Sequence, residues 1–160
     1  MTIQVGDRIP AATLHYKTDD GIQKIGTEEL FGGKKVVLFA LPGAFTPTCS
    51  AKHVPGYVAN AAAIRDKGVD LIACLSVNDA FVMGAWGKDQ NVGDSVMMLA
   101  DGNAELTKAM GMELDASGAG LGLRCKRFAM VVEDGKVTKL NVEAPGAFEV
   151  SSAEAILGAL

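Results

Sequence analysis

The chain has 160 residues, of which 49% are hydrophobic, and this is enough to bury the core of one domain spanning 1–160. Its 15 Lys+Arg and 19 Asp+Glu residues give a net charge of −4, so we expect neither nucleic acid nor an anionic membrane surface as a partner. No apolar run approaches the roughly 20 residues that span a bilayer, and MTIQVGDRIP has no signal-peptide or transit character.

The hydrophobic pattern predicts three buried strands that are each followed by a helix. The pairs in chain order are 36–41 with 49–67, 69–77 with 80–88, and 96–100 with a helix that ends near Met110. Pro55 is expected to bend or interrupt the first helix near its start. Asn78-Asp79 supplies a cap for the second helix.

The pattern changes in the last third of the chain. RFAMVVEDGKVTKLNVE (127–143) predicts two strands joined at the turn Asp134-Gly135. The segment from Ser151 to Glu154 is a capping signal for a final helix over 155–160. The order βα, βα, βα, ββ, α predicts an α/β fold of the thioredoxin-like kind, with a central mixed β-sheet flanked by helices.

The three cysteines are an odd number in a chain long enough to need no covalent staple, which argues against a disulfide framework. We therefore expect at least one free thiol and a reducing compartment, the cytoplasm. The cysteines and the two histidines show no metal-ligand spacing, so no metal site and no cofactor are expected.

Cys49 has the most informative surroundings of the three. Thr46 and Pro47 suit the N-cap and first position of a helix, which puts Cys49 in the first helical turn. Backbone N–H groups and the helix dipole favour a thiolate over a thiol at that place. A cysteine packed as a small buried hydrophobe is the ordinary alternative. The preceding PGAFTPT, however, is not a segment that buries well.

The segment PGAFTPTCS (42–50) resembles the peroxiredoxin signature, in which a proline, a threonine and a cysteine are met by Pro42, Thr46 and Cys49. The longer likeness is to the type II, or peroxiredoxin V, subfamily and runs nearly end to end. The segments that carry it are PGAFTPTCS with HVPG (53–56), SVNDAFVMGAWGK (76–88) and RFAMVVEDG (127–135). The resemblance implies a thiol-dependent peroxidase that reduces hydrogen peroxide and organic hydroperoxides.

The resemblance also implies roles for particular residues. Cys49 would be the peroxidatic nucleophile, which becomes a sulfenic acid. Thr46 would hydrogen-bond the thiolate and the peroxide, and Pro42 would shield the sulfur from water. Arg127 would hold the thiolate and polarise the O–O bond. Backbone N–H groups from Gly43 to Cys49 are expected to hold the second peroxide oxygen, and the peroxide-binding residues would be Gly43, Phe45 and Thr48.

Three other basic side chains lie outside the signature. Arg124, which in a strand would point away from the face of Arg127, is predicted to be a solvated surface charge. His53 follows Cys49 by one helical turn and is expected either to tune the thiolate or to have a structural role. His15 has no companion motif and is expected at the surface.

The sulfenic acid needs a second thiol, and the sequence departs from the intramolecular pattern of the family. Where those members carry a resolving cysteine before the last helix, this chain has Val150. Cys74 lies in a predicted core strand, and the position of Cys125 relative to Cys49 is open. We therefore expect an external reductant, either glutathione with glutaredoxin or thioredoxin.

Two functions other than a peroxidase are compatible with parts of the sequence. A general thiol-disulfide oxidoreductase would suit a cysteine between strand and helix, but no Cys-x-x-Cys is present. A non-catalytic thioredoxin-like interaction or holdase module would use Phe45, Phe81 and Trp86 as an exposed apolar patch. In the family that the chain resembles, such an aromatic surface forms the homodimer contact, and we expect a homodimer.

Overall fold

The computed structural model describes residues 2–160. The strands are β1 (Thr13–Thr18), β2 (Gly21–Gly26), β3 (Lys35–Ala40), β4 (Leu71–Ser76), β5 (Met97–Ala100), β6 (Glu113–Asp115), β7 (Leu123–Cys125), β8 (Phe128–Glu133) and β9 (Lys136–Val142). The α-helices are α1 (Thr27–Phe31), α2 (Val54–Arg65), α3 (Ala80–Asp89), α4 (Glu105–Ala109) and α5 (Ala153–Ala159). None of the helices within 2–160 is both long and apolar enough to cross a membrane.

Seven strands form one mixed sheet in the order β2-β1-β5-β4-β3-β8-β9, and β6 and β7 form a separate pair. β3 pairs in parallel with β4, and β4 with β5, because a helix returns the chain between them. β8 runs antiparallel to β3 and continues into β9 through Asp134 and Gly135, whose φ angles are 49° and 79°. The predicted α/β fold with a central mixed sheet and a C-terminal hairpin is confirmed.

The sequence pattern predicts no element before residue 36, whereas the structure has β1, β2 and α1 there. β1 pairs with β2 as an antiparallel hairpin, and β1 also adds to the edge of β5. The tight turn uses Gly21 at φ 114°, a conformation that L side chains rarely adopt. The dipeptide Asp20-Gly21 is a turn signal of the same kind as Asp134-Gly135, and it could have indicated this hairpin.

The sheet separates two hydrophobic clusters because successive side chains of a strand point to opposite faces. Val37 and Phe39 of β3 join the cluster that contains Cys49, whereas Val36 joins the cluster that contains Cys125. Helices α2, α3 and α5 cover the first face, and α1 and α4 cover the second. Cys49 and Cys125 therefore lie on opposite sides of the sheet.

Candidate active site

The helix that carries Cys49 begins where the sequence predicts. Thr46 immediately precedes the first helical residue, Pro47, and Cys49 lies in the first turn. The side chain of Cys49 is fully buried, so the expectation that this segment does not bury well is wrong for Cys49, although Phe45 and Pro47 are exposed. The hydroxyl of Thr46 donates to the carbonyl of Gly43 at 2.7 Å. Within 2–160 the side chain of Thr46 makes no other hydrogen bond. Its contact with the thiolate therefore stays a prediction, and the hydroxyl would have to rotate to make it.

A tight turn connects β3 to this helix. Phe45 adopts a φ of 63°, which costs a non-glycine residue of the order of 1–3 kcal/mol and occurs preferentially at functional sites. The N–H of Ala44 donates to Oδ1 of Asn78 at 3.0 Å, and the same oxygen accepts from the hydroxyl of Ser76. The N–H of Ala44 is therefore already used in a hydrogen bond. The predicted peroxide-binding N–H groups, those from Gly43 to Cys49, are reduced by this one.

The first full turn of this helix, Cys49–His53, is π-helical. The N–H of Val54 donates to the carbonyl of Cys49, five residues back, before α2 continues in regular geometry. Pro55 follows directly and has no N–H to donate, so a regular α-helical bond is lost at this place. The predicted interruption near Pro55 is present as a widened turn, a distortion that is frequent at functional sites.

Arg127 reaches Cys49 from the neighbouring strand. Ala40 at the end of β3 lies opposite Phe128 at the start of β8, so the residue before β8 lies beside the loop that follows β3. Nη2 of Arg127 donates to Sγ of Cys49 at 3.1 Å. The structure thus brings together the two residues on which the predicted chemistry depends.

His53 contacts the arginine and makes no hydrogen bond to the sulfur within the described chain. Nη1 of Arg127 lies 2.7 Å from Nδ1 of His53, and because a guanidinium only donates, Nδ1 accepts. Nε2 therefore carries the proton and donates to the carbonyl of Ser151 at 3.0 Å. Burial and then the charge of Arg127 lower the pKa of His53 to about 3, so the ring is neutral.

Glu143 fixes the segment whose Ser151 carbonyl accepts the hydrogen bond from His53. Its carboxylate accepts the N–H groups of Glu149, Val150 and Ser151 at 2.8–3.0 Å and the hydroxyl of Ser151 at 2.7 Å. Burial opposes the charge, but these hydrogen bonds hold the pKa of Glu143 below its usual value. No local pattern predicts this contact, because the capping signal from Ser151 to Glu154 indicates only the helix that follows, for which Ser152 is the cap.

Arg124 is not a solvated surface charge, and that prediction is wrong. It is half-buried, and Nε donates to the carbonyl of Leu121 at 2.9 Å. Nη1 donates to the carbonyls of Val77 at 3.3 Å and Pro42 at 3.4 Å. A Cβ at Gly43 would lie 2.9 Å from Nη1, so a larger residue at this position would displace the guanidinium of Arg124. Arg124 joins three segments beside the turn that precedes Cys49.

The expected aromatic patch is smaller than predicted. Phe45 and Phe81 are 54% and 66% exposed, but Trp86 is fully buried. The prediction for Trp86 is wrong because its Nε1 donates to the hydroxyl of Ser50 at 3.0 Å, next to Cys49, and the ring packs in the core. His15, expected at the surface, is half-buried in β1.

The predicted peroxide-binding residues occupy different environments. Gly43 is buried and Thr48 is half-buried, whereas Phe45 projects toward solvent and its ring lies 6.3 Å from that of Trp86. Thr48 lines a cavity of about 260 Å³ together with Pro42 and Arg127. The structure therefore brings Thr48, and not Phe45, to the same cavity as Pro42 and Arg127, whereas Cys49 and Thr46 are not among the residues that line it.

Comparisons with known proteins give a consistent answer. The Redoxin family model matches residues 4–157. Peroxiredoxin-2E, chloroplastic, from Arabidopsis thaliana is 53% identical over 164 residues, covering 99% of this chain and 70% of the relative. Peroxiredoxin-2B from the same plant is 51% identical over 159 residues, covering 99% and 98%. The chain belongs to the peroxiredoxin family. This peroxiredoxin is a thiol-dependent peroxidase, and its substrates are a peroxide and a thiol reductant.

A solved peroxiredoxin structure has the same fold. Reduced Prx3 in complex with H₂O₂ from Vibrio vulnificus superposes with a TM-score of 0.95 at 57% identity, covering 99% of each chain. Because the chain belongs to a family of peroxidases, the peroxidase function is favoured over the two alternatives, a non-catalytic module and a general thiol-disulfide oxidoreductase.

The other two thiols of this peroxiredoxin are buried in the core. Cys74 lies in β4 on the same face as Cys49, and burial raises its pKa well above the ordinary value. Cys125 lies on the opposite face, and burial raises its pKa to about 12. Because the thiolate is the reactive form, both environments disfavour reaction.

Proposed function

We propose that Cys49 is the peroxidatic nucleophile and that Arg127 activates both the sulfur and the peroxide. The observation that carries this proposal is the 3.1 Å hydrogen bond from Nη2 of Arg127 to Sγ of Cys49. A guanidinium is permanently charged, so it stabilises the thiolate at neutral pH. Its five N–H donors exceed the two used by Cys49 and His53, which leaves donors for a peroxide oxygen.

In the proposed reaction the thiolate of Cys49 attacks the terminal oxygen of the hydroperoxide. The S–O bond forms as the O–O bond breaks, and the electron pair leaves on the other oxygen as alkoxide or hydroxide. That oxygen takes up a proton and departs as an alcohol or water, while Cys49 becomes a sulfenic acid. Negative charge spreads over both oxygens in the transition state, where Arg127 and the hydroxyl of Thr46 stabilise it. Gly43 and Thr48 flank the peroxide, and Pro42 excludes water.

Single-turnover oxidation by hydrogen peroxide tests these roles. Cys49→Ser should abolish peroxide consumption, and Arg127→Ala should lower the rate constant about 100-fold or more, as loss of one oriented donor does in other enzymes. Arg127→Lys keeps the charge without the planar fork and should recover part of the loss. Arg8→Ala is the matched control, since Arg8 donates to Asp134 at the far end of β8. A Cys49→Ser protein with the wild-type rate would refute the proposal.

We further infer that an external thiol regenerates Cys49, either glutathione with glutaredoxin or thioredoxin. Two observations support this: Cys125 is separated from Cys49 by the sheet, and Cys74 is fully buried within β4. Mass spectrometry after one equivalent of peroxide and then glutathione should find glutathione on Cys49. A stoichiometric disulfide between Cys49 and either other cysteine would contradict the inference, and comparing turnover with the two reductants identifies the preferred one.

We also propose that the protein works as a homodimer in a reducing compartment, the cytoplasm. Two large exposed aromatic rings support self-association: Phe45 in the turn before the helix of Cys49, and Phe81 in the first turn of α3. The three unpaired cysteines support a reducing environment.

A further inference from the structure

Four residues beside Cys49 close a circuit of hydrogen bonds. The N–H of Glu143 donates to the carbonyl of Arg127 at 3.0 Å. The carboxylate of Glu143 accepts from Ser151, and the carbonyl of Ser151 accepts from His53. Nδ1 of His53 accepts from Nη1 of Arg127, the residue at which the circuit began. The hydrogen-bond circuit therefore consists of Arg127, Glu143, Ser151 and His53.

The hydrogen-bond circuit holds Arg127 at both ends. Arg127 lies just before β8, where the backbone has no regular structure, and its side chain is long and flexible. Such a side chain has about 2 kcal/mol of rotamer entropy to lose when it adopts a single geometry. Glu143 fixes the Arg127 carbonyl and His53 fixes one arm of the guanidinium. The other arm is then aimed at Sγ of Cys49.

The circuit is shielded from water. His53 and Ser151 are fully buried, and Glu143 is 8% exposed. The aromatic side chain of Phe148 packs against His53 with ring centroids 5.0 Å apart, and its centroid lies 5.8 Å from Cζ of Arg127. Hydrogen bonds are stronger in such surroundings than in water, and the loss of one partner is costly. A change at Glu143 should therefore alter the geometry of Arg127.

We propose that Glu143 and His53 are positioning residues for the peroxide reaction, and that the hydrogen-bond circuit sets the direction in which Arg127 donates to Cys49. Neither residue needs to touch the peroxide. This inference rests on the proposed role of Arg127 and names the residues that give its side chain one geometry.

Single-turnover oxidation of Cys49 by hydrogen peroxide tests the proposal in two variants. Glu143→Gln weakens the contact with Ser151, and His53→Phe removes the acceptor for Arg127. Each should lower the rate constant about tenfold, within the loss of up to about 100-fold that a displacement of about 1 Å can cause. Removing the charge of Glu143 would by itself favour the thiolate. A slower reaction therefore has the sign that positioning predicts.

A double-mutant cycle separates positioning from a general loss of structure. In an Arg127→Ala background, Glu143→Gln and His53→Phe should slow the reaction by less than about twofold more, because the side chain that they position is absent. A general loosening of the site would instead multiply with the effect of Arg127→Ala.

The pH dependence of alkylation gives a second readout. Iodoacetamide reacts with the thiolate, and dividing its rate at about pH 5 by its rate at about pH 7.5 cancels changes in accessibility. The pKa of His53 is about 3 and that of Glu143 lies below its usual value, so the circuit is intact at both pH values. The quotient should fall about threefold in Glu143→Gln and His53→Phe, because a misdirected Arg127 stabilises the thiolate less.

Two control variants change the same region without breaking the circuit. Glu149→Gln removes an exposed charge from the segment before α5. Tyr57→Phe removes a hydrogen bond to the Ser151 carbonyl, which keeps its bond from His53. Both controls should keep the wild-type rate constant within about twofold.

Four outcomes would overturn the inference: wild-type rate constants in Glu143→Gln and His53→Phe, effects that multiply with Arg127→Ala, an unchanged alkylation quotient, or an equal loss of rate in Tyr57→Phe. If Glu143→Gln does not fold, His53→Phe undergoes the same tests. Failure of the proposed function is distinct, because Arg127→Ala alone would then keep the wild-type rate constant.

Discussion

At the scale of single residues, the site depends on a neutral histidine that orients a cation. His53 is fully buried between Phe39 and Phe148, with ring centroids 4.9 and 5.0 Å away. Its Nδ1 lone pair holds one arm of Arg127 while the other arm reaches Cys49. Protonating the ring would remove this acceptor and place two cations side by side, so His53 acts on the sulfur through Arg127 as a positioning residue.

The depressed pKa of His53 predicts a dependence of stability on pH. The pKa is about 3 in the folded protein against 6.5 in the unfolded chain, so between these values the unfolded chain binds the extra proton. The contribution of neutral His53 to the free energy of unfolding is fully present above pH 6.5. It is lost as the pH falls toward 3, at up to about 1.4 kcal/mol per pH unit. The free energy of unfolding, measured with urea at several pH values between 4 and 6.5, should depend less steeply on pH in His53→Gln, by that amount. An unchanged pH dependence in the variant would contradict the assignment.

Local chemistry predicts features that depend on neighbouring residues, whereas the family resemblance, and no local rule, pairs Arg127 with Cys49 across 78 residues. The helix start at Thr46 and Pro47 follows from capping rules and from steric limits on proline, which act within a few residues. The predictions for Arg124 and Trp86 are wrong because the burial of these side chains depends on partners 36 to 82 residues away. The contact of Glu143 is not predicted for a different reason: its partners lie only six to eight residues further along the chain, but no capping or turn rule links a carboxylate after a strand to an irregular loop.

At the scale of elements, the segment 144–151 connects β9 to α5 and carries the carbonyl that receives His53. Tyr57 of α2 donates to the same Ser151 carbonyl at 2.8 Å, so the segment also joins two elements on one face of the sheet. It has no regular structure of its own between β9 and α5. Its conformation therefore depends on the carboxylate of Glu143.

Glu143→Gln should loosen this segment. An amide has one acceptor oxygen where the carboxylate has two, and it loses the charge that strengthens each bond, so the free energy of unfolding should fall by about 1–3 kcal/mol. Hydrogen exchange at the amides of 149–151 should accelerate. Glu149→Gln is the control, because that exposed side chain lies outside the contact. Equal exchange in the two variants would show that Glu143 does not fix the segment.

Sheet elements differ in how far their sequences specify them. The hairpin of β8 and β9 was predicted because both strands are short, adjacent and joined by Asp-Gly. The hairpin of β1 and β2 was missed because its strands are only partly buried and give a weak periodic signal. Placing β1 beside β5 requires contacts across more than 80 residues, which no local pattern encodes.

At the scale of the whole molecule, the sheet keeps two of the thiols apart. Cys125 packs in the cluster that excludes Cys49, so joining them would require the sheet to open. Cys125→Ala should therefore keep the wild-type turnover with an external thiol, measured as peroxide consumption at saturating reductant. Loss of turnover in a folded Cys125→Ala protein would contradict this. Cys74→Ala, on the Cys49 face, reports whether that nearer thiol takes any part.

The proposed homodimer makes a prediction about the whole assembly. In a two-fold symmetric contact each residue occurs twice, so Phe81→Asp removes two buried rings and adds two charges. Since burying one aromatic side chain contributes about 1.5–3 kcal/mol, the dissociation constant of the dimer should rise at least 100-fold. Sedimentation of the wild type should give twice the 16.6 kDa chain mass, and Phe81→Asp should sediment as a monomer. Val5→Asp is the control, because Val5 is 59% exposed and apolar but is next to Gly6, which donates its N–H to the carbonyl of Val137 in β9. A monomeric wild type at micromolar concentration would refute the homodimer.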